Sequence, residues 1–348
     1  MHAPSTRTAP HGRRTTRRRL LAATATIGAI GVATPATAGA QAPPSCATDG
    51  AIGLAYAEGV NCRTVELDGH PRRFLVYVPQ TAPPAGTRRP VVFMFHGSSG
   101  TGEQFLGMSG WREQADATGL IAVFPTGLRY RVLDSGRLTT KWNGFELAEQ
   151  IDTSELPPGS DPGAPVPADD VGFVDTMMAD LRARLPIDGR RVYASGFSNG
   201  ADFTARLSID RSDKLAAAAY SGGALPFAAT PDRAVPTLVT VGTDDPKIIE
   251  QVDPTLPALP LDPVDILTTA GLTDVLGRYH ATFGLDPSLY SVVAEPTSTT
   301  FRWPAGRPQF TFAMLAGVRH QYPNGGNNPN GFAAAPQFWD FFREHRLP

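Results

Sequence analysis

Cysteine is scarce in this sequence, with Cys46 and Cys62 the only two among 348 residues. A structural zinc site needs about four ligands, and the residues around this pair supply too few others. The sequence therefore predicts no metal site. In an exported protein such a pair predicts a disulfide, and two buried free thiols are the alternative.

Charged side chains are also few, at 18% of the residues against 41% that are hydrophobic. This balance is typical of a globular protein that can bury a sizeable core. Low-complexity segments and internal repeats are absent. The 35 glycines and 33 prolines indicate long, ordered loops.

Acidic residues are missing altogether from segment 1–42, which carries six arginines: Arg7, Arg13, Arg14, Arg17, Arg18 and Arg19. A mildly apolar run follows at 20–32, and the small-x-small stretches at 36–38 and 40–42 are candidate cleavage sites. The stretch 16–21 fits a twin-arginine export signal. We therefore expect a signal peptide at 1–42 and a secreted or periplasmic protein.

Two other interpretations explain this segment less well. A basic arm that binds nucleic acid does not account for the apolar run, and a membrane span needs about 20 apolar residues. Segment 1–42 holds six of the 31 basic residues and none of the 33 acidic ones, so the rest carries a net charge of −8. We expect neither nucleic acid as a partner, since that requires basic patches, nor a stable membrane anchor.

A serine between two glycines forms the most informative motif. Gly196-Phe197-Ser198-Asn199-Gly200 follows a β-prone run and precedes apolar residues at helical spacing. This strand, turn and helix match the nucleophile elbow G-x-S-x-G, in which small residues let the strand and helix pack closely. The sequence predicts that Ser198 is a nucleophile, and an ordinary strand-to-helix turn is the alternative.

Alternating strand and helix patterns predict a mainly parallel, doubly wound α/β sheet with loop insertions, formed by one domain over 45–348. Strands are predicted at 72–78, 91–95, 121–125, 191–196, 216–220, 236–242 and 310–315. Helices are predicted at 109–118, 171–185, around 276–283 and at the C-terminus. Asp169 and Asp170 are predicted to cap the second of these helices.

A glycine-rich loop, 96–102, follows the apolar strand 91–95. Such a loop can turn backbone N–H groups toward a bound oxygen, as an oxyanion hole requires. We expect one N–H group from this loop and one from Asn199 to serve in this way. The long segment 126–168 is predicted to be either a functional loop over the site or a mobile insertion.

In α/β-hydrolases the catalytic acid and then the histidine follow the serine in the chain, so the candidates are the acids and histidines after Ser198. Asp244 and Asp245 lie in a turn after strand 236–242, where active-site groups gather in open α/β sheets. Ordinary turn acids are the alternative. Among the later histidines, His280 and His345 fall in predicted helices, whereas His320 begins a polar loop after a strand.

These groups together predict acyl transfer. His320 would accept the proton of Ser198 as the hydroxyl attacks an ester carbonyl, and an aspartate would hold the imidazole tautomer. Two backbone N–H groups would stabilise the oxyanion. The prediction requires no metal and no organic cofactor.

The motifs, in this order, resemble the exported polyhydroxybutyrate depolymerase and feruloyl esterase branch of the α/β-hydrolases, which includes the LpqC-like esterases. The resemblance covers roughly residues 65–345. The matching motifs are Phe95-His96-Gly97, Asp169-Asp170-Val171-Gly172-Phe173, the elbow, Gly242-Thr243-Asp244-Asp245-Pro246 and Gly317-Val318-Arg319-His320. By this resemblance the acid is Asp245, the base is His320 and the first oxyanion N–H group belongs to Ser98.

The chain departs from that branch at Ala201, Val241 and Tyr322, where the family often has Gly, His and Trp. The resemblance implies short-chain or hydroxyalkanoate esters as substrates, as oligomers or polymers. A feruloyl or acetylxylan esterase is the alternative enzyme, and an exported binding protein without turnover is the alternative class. Trp142, Trp303 and Tyr322 are predicted to line the substrate cleft.

Overall fold

The computed structural model describes residues 46–81, 86–154, 163–303 and 310–348. The predicted signal peptide at 1–42 lies outside these residues. The part of the chain that the structure describes belongs to one compact unit, Gln41–Pro348.

The strands and helices are numbered in chain order. The strands are β1 (Thr48–Ala51), β2 (Gly59–Leu67), β3 (His70–Val78), β4 (Arg89–Phe95), β5 (Ile121–Pro125), β6 (Leu128–Arg131), β7 (Leu138–Lys141), β8 (Ile187–Phe197), β9 (Ala217–Ser221), β10 (Thr237–Gly242), β11 (Ser291–Glu295), β12 (Ser298–Trp303) and β13 (Phe310–Leu315). The helices are α1 (Gly102–Met108), α2 (Trp111–Thr118), α3 (Leu147–Gln150), α4 (Asp170–Arg184), α5 (Asn199–Asp210), α6 (Pro246–Val252), α7 (Pro263–Thr268), α8 (Ala270–Phe283) and α9 (Ala334–Phe342).

Eleven strands form one sheet in the order β1-β2-β3-β5-β4-β8-β9-β10-β13-β12-β11. The six central strands, from β5 to β13 in this order, are parallel to one another. The chain reverses its winding direction at β4, since β5 lies on one side of it and β8 on the other. Loops at the carboxyl ends of the strands therefore meet at this point.

The central strands are apolar on both faces because helices cover both. Val91, Phe93 and Phe95 of β4 pack with residues of α4, α5 and α8. Val92 and Met94 pack on the opposite face with residues of α1, α2 and α9. All seven residues of β4 are buried. Such continuous apolar strands are typical of a parallel sheet between two helical layers.

The predicted elements agree with the structure at most positions. Strands 121–125 and 310–315 have the predicted bounds. The helix predicted at 109–118 begins at Trp111, and an additional helix, α1, precedes it with Thr101 as its N-cap. The sequence predicts His345 within the C-terminal helix, but α9 ends at Phe342 and His345 lies beyond it.

The prediction for Asp170 is wrong, although that for Asp169 is confirmed. The Asp169 side chain accepts a hydrogen bond from the Gly172 N–H group at 2.8 Å and caps α4. Asp170 is instead buried and paired with the guanidinium of Arg72, which is also buried. A charge in the interior requires a partner of opposite sign, and the capping pattern does not reveal Arg72.

Cys46 and Cys62 are joined by a disulfide, with their Cα atoms 5.6 Å apart. The bond ties the chain before β1 to β2, near one edge of the sheet. Within the described ranges, every helix is too short or too polar to cross a membrane.

Candidate active site

Ser198 occupies the sharp turn between β8 and α5. Its backbone has φ 54° and ψ −124°, a conformation that is unfavourable for a residue with a side chain. The Ser198 N–H group donates a hydrogen bond to the Ser221 carbonyl at 3.0 Å, which ties the turn to β9. The serine is thus held in a strained conformation at the N-terminus of a helix.

The two glycines of the motif allow this turn to form. A Cβ atom on Gly196 would overlap the carbonyl oxygen of Gly200, and one on Gly200 would overlap the carbonyl oxygens of Phe95 and His96. Strand β8, helix α5 and the end of β4 therefore approach one another more closely than any side chain would permit.

His320 and Asp245 complete a hydrogen-bonded chain with Ser198. His320 Nε2 lies 2.8 Å from Ser198 Oγ. His320 Nδ1 lies 2.9 Å from both carboxylate oxygens of Asp245. We call these three residues the triad. The geometry permits Nδ1–H to donate to Asp245, which leaves Nε2 to accept a proton from the serine hydroxyl.

The structure distinguishes between the two adjacent aspartates. Asp245 is buried, and its carboxylate also accepts hydrogen bonds from the N–H groups of Lys247 and Ile248 at the start of α6. Asp244 is exposed and accepts a hydrogen bond from the Thr243 hydroxyl. Strands β10 and β13 are neighbours, so the turn after β10 and the loop after β13 lie side by side. Of the two aspartates, Asp245 contacts His320.

The other two candidate histidines lie elsewhere. His280 is buried in α8, where its ring lies 4.7 Å from that of Trp303, and burial lowers its pKa. His345 packs against Phe341 with ring centroids 4.7 Å apart. The structure therefore brings only His320 of these three histidines to Ser198.

The glycine-rich loop lies against the nucleophile. A Cβ atom on Gly97 would be 3.2 Å from Ser198 Cβ, so this loop runs directly beside the serine. Within the described parts of the chain, the backbone N–H groups of Ser98 and Asn199 have no hydrogen-bond acceptor. Both are thus available to a bound oxyanion at the N-terminal end of α5, where the helix dipole also favours negative charge.

His96 supports this loop from inside the protein. The ring is fully buried, and burial lowers its pKa to about 4, so it is neutral. Nδ1 lies 2.7 Å from the Gly97 carbonyl, to which it donates, and Nε2 accepts from the Gly127 N–H group at 3.0 Å. One neutral histidine therefore connects the loop to the strand end at 125–127.

A hairpin formed by β6 and β7, within the irregular segment 126–168, also contacts the loop. The Ser99 N–H group donates to the Thr140 carbonyl at 2.9 Å, and the Thr140 hydroxyl donates to the Gly100 carbonyl at 2.7 Å. Segment 126–168 was predicted to be either a functional loop over the site or a mobile insertion. These contacts favour the functional loop for the described residues of the segment. Sequence patterns gave no signal for Thr140.

The Asn199 side chain joins the elbow to the same segment. Its Oδ1 accepts from the Trp142 N–H group at 2.7 Å, and its Nδ2 donates to the Trp142 carbonyl at 3.1 Å. The asparagine of the elbow thus holds the segment that follows β7. Its backbone was predicted to be functional, whereas this side-chain role was not.

The three aromatic residues predicted to line the cleft are buried instead, so this prediction is corrected. Trp142 packs against Phe95 and Phe203 and donates its indole N–H to the His96 carbonyl at 3.0 Å. Trp303 and Tyr322 are also almost fully buried. Large aromatic side chains are stabilised by burying a large apolar area in the core. A position in a predicted loop does not reveal this burial.

A cavity of about 430 Å³ lies beside the elbow. It is lined by residues from the segment after β7, from the loop after β9, and from α5, α6 and α8. These are Gly144, Phe145, Glu146, Leu147, Gln150, Asn199, Asp202, Ala224, Leu225, Pro226, Gln251, Gly271, Asp274, Val275 and Arg278. A cavity of this volume is sufficient for a small organic molecule.

No family model matches the chain. The chain is 27% identical over 187 residues to "Putative esterase NocK" of Nocardia uniformis subsp. tsuyamanensis, covering 53% of this chain and 48% of that protein. It therefore spans about half the length of this curated relative.

Two solved structures align with most of this chain. An S-formylglutathione hydrolase from Agrobacterium tumefaciens aligns with a TM-score of 0.51 and 15% identity, covering 83% of this chain and 95% of that one. An acetyl xylan esterase from Aspergillus awamori aligns with a TM-score of 0.46 and 15% identity, covering 78% and 94%. The protein has the α/β-hydrolase fold.

Proposed function

We propose that this protein is a serine hydrolase of carboxylic esters that acts through an acyl-enzyme. The observation that carries the proposal is the continuous hydrogen-bonded chain from Asp245 through His320 to Ser198 Oγ. His320 takes the serine proton as Oγ attacks the ester carbonyl, and then gives it to the departing alcohol. Water, activated by the same imidazole, releases the acid.

The substrate proposed is a short-chain acyl ester or a soluble hydroxyalkanoate oligomer. The family motifs support the hydroxyalkanoate class. The cavity of about 430 Å³ beside Asn199 has room for a short chain. Esters of hydroxylated alcohols, as in acetylated xylan, are a second candidate, favoured by the polar side chains of Gln150 and Gln251 in the cavity wall.

The test is an ester panel with Ser198→Ala and His320→Ala as matched variants. We expect the protein to hydrolyse p-nitrophenyl butyrate and 3-hydroxybutyrate oligomers, and each substitution to lower kcat by about 10⁴-fold or more. Circular dichroism and the melting temperature would verify that both variants fold. Turnover that survives Ser198→Ala would contradict the mechanism. A kcat/KM for feruloyl esters about tenfold above that for the butyrate and hydroxybutyrate esters would instead indicate a feruloyl esterase.

We also propose export through the twin-arginine signal at 1–42. The Arg17-Arg18 pair and the small residues at 36–42 support this, and a disulfide suits an oxidising compartment. N-terminal sequencing of the protein from the culture medium should begin between about residues 39 and 43, and replacing both arginines by lysine should retain the precursor inside. Secreted protein that begins at Met1 would contradict the proposal.

A further inference from the structure

The cavity beside the elbow carries an excess of negative charge. Glu146, Asp202 and Asp274 line it, against Arg278 as the one cationic side chain of its wall. The Arg278 guanidinium donates to the Leu225 carbonyl at 3.1 Å, so part of its hydrogen-bonding capacity is already used.

Asp202 is the acid nearest to the nucleophile along the chain. Its N–H group donates to the Ser198 carbonyl at 3.1 Å, so it lies one helical turn after the serine, on the same face of α5. Two glycines, Gly144 and Gly223, lie directly beside its side chain. A Cβ atom on Gly144 would lie 3.3 Å from Asp202 Cβ, and one on Gly223 would lie 2.9 Å from Asp202 Oδ1.

The Asp202 carboxylate has no hydrogen-bond partner within the described ranges, and it acts on its surroundings through charge alone. Burial raises its pKa to about 7, the ammonium of Lys141 opposes this shift, and Glu146 adds to it. An unpaired carboxylate at the wall of a cavity interacts strongly with any charge that enters. The carboxylates of Asp245 and Asp170, in contrast, are fully engaged by hydrogen bonds.

We infer that Asp202 determines the charge selectivity of this site, so that esters with a cationic or neutral group in the cavity react and esters with a carboxylate there are rejected. The inference rests on the proposed ester hydrolysis. For hydroxyalkanoate oligomers, it means that the free acid end is kept out of the cavity. Asp202 is a specificity-determining residue and takes no part in proton transfer.

Two substrate series test this, because the cavity can receive either side of the ester. In the first, the acyl group varies: p-nitrophenyl hexanoate, mono-p-nitrophenyl adipate and p-nitrophenyl 6-(trimethylammonio)hexanoate. In the second, the alcohol varies: the acetates of 3,3-dimethylbutanol, of 3-hydroxypropionate and of choline. At pH 8 we expect kcat/KM for the anion to be about tenfold below that for the neutral ester in at least one series.

The matched variants are Asp202→Asn and Asp210→Asn. Both remove one carboxylate from α5, but Asp210 lies two turns further on and pairs with Arg206 at 2.9 Å, away from the cavity. Asp202→Asn should reduce the discrimination at least fivefold in that series. Asp210→Asn should leave the discrimination unchanged. Glu146→Gln, on another element, should shift it in the same direction and by less.

The pH dependence provides a second readout. The charged and titratable groups that interact with Asp202 or share its cavity wall are Lys141, Glu146, Tyr220, Asp274, Arg278, Tyr279 and His320. Discrimination should increase from pH 6 to pH 8 as Asp202 ionises, and this increase should be absent in Asp202→Asn. The ratio of two substrates cancels any effect of pH that is common to both.

The outcomes separate the two proposals. Failure of the wild-type protein to exceed Ser198→Ala on the neutral esters would overturn the proposed function. Turnover of neutral esters with equal kcat/KM for all charges in both series, or discrimination that persists in Asp202→Asn, would overturn the role of Asp202 alone.

Discussion

The two sides of the candidate site are built in different ways. On the nucleophile side, each member of the triad follows a central parallel strand, and glycines let the backbone segments meet without intervening side chains. On the cavity side, most of the wall is assembled from loops and helices at 144–150, 224–226 and 271–278, with further residues from α5 and α6. The comparison teaches that the backbone of the sheet positions the reacting groups, whereas individual side chains on peripheral elements shape the binding space.

The two sides of the site also differ in how deeply their side chains are buried. Asp245 is 1% exposed and shares its carboxylate between a histidine and a helix N-terminus. Phe227, next to the cavity wall residue Phe145, is 48% exposed and makes its ring contact with that residue alone among the described rings. A change on the nucleophile side therefore disturbs several partners, and a change near the cavity disturbs few.

The largest effect that would sharpen this comparison is expected at Asp245. Asp245→Asn should lower kcat by about 10²- to 10⁴-fold, because the imidazole loses the carboxylate that holds its tautomer. Asp244→Asn, the matched change one residue earlier, should alter kcat by less than about threefold, since that carboxylate is exposed and contacts Thr243. Steady-state kinetics on p-nitrophenyl butyrate would measure both, and the reverse order would assign the acid to Asp244.

A smaller effect is expected from adding one methyl group at the elbow. Gly196→Ala should lower the free energy of unfolding by about 1–3 kcal/mol, because the new Cβ meets the Gly200 carbonyl and the Thr204 hydroxyl. Activity should fall as well, since the turn that carries Ser198 must shift. Gly277→Ala in α8, where a Cβ has open space, is the control and should be neutral or stabilising. Urea denaturation would compare the two variants, and equal stability would refute the close packing.

The smallest effect is expected beside the cavity. Phe227→Ala removes a half-exposed ring that lies 4.9 Å from Phe145 in an edge-to-face arrangement. The free energy of unfolding should fall by about 1 kcal/mol or less, and kcat on p-nitrophenyl butyrate should stay within about twofold, because the triad is untouched. A loss of activity as large as that of the elbow variant would break the distinction between the two sides.

Much of the nucleophile side could be predicted from the sequence because its determinants are local. Strands 121–125 and 310–315 are short apolar runs between turn residues, and the elbow combines a strand, two glycines and a helix within one stretch. Asp169 was identified as a cap because its partner, Gly172, lies three residues away. Predictions of this kind depend on neighbours in the chain.

The predictions that were wrong depended on distant residues. Asp170 pairs with Arg72, 98 positions earlier, and Trp142 packs against Phe203 in the core. The polar spacing around Asp170 is that of a helix start, and an aromatic residue in a loop looks available for a ligand. Neither pattern contains the partner that decides whether the side chain is buried.

The sequence by itself determined the order of the chemical groups: a glycine-rich loop, a serine in an elbow, an acid turn and a histidine loop, each after an apolar strand. It did so because β-strands, tight turns and helix starts depend on spacing over a few residues. The tertiary structure alone decided that Asp170 pairs with Arg72, that the aromatic residues lie in the core, and that Asp202 faces a cavity. These outcomes depend on which strands become neighbours and which helices cover them, and such contacts join residues far apart in the chain.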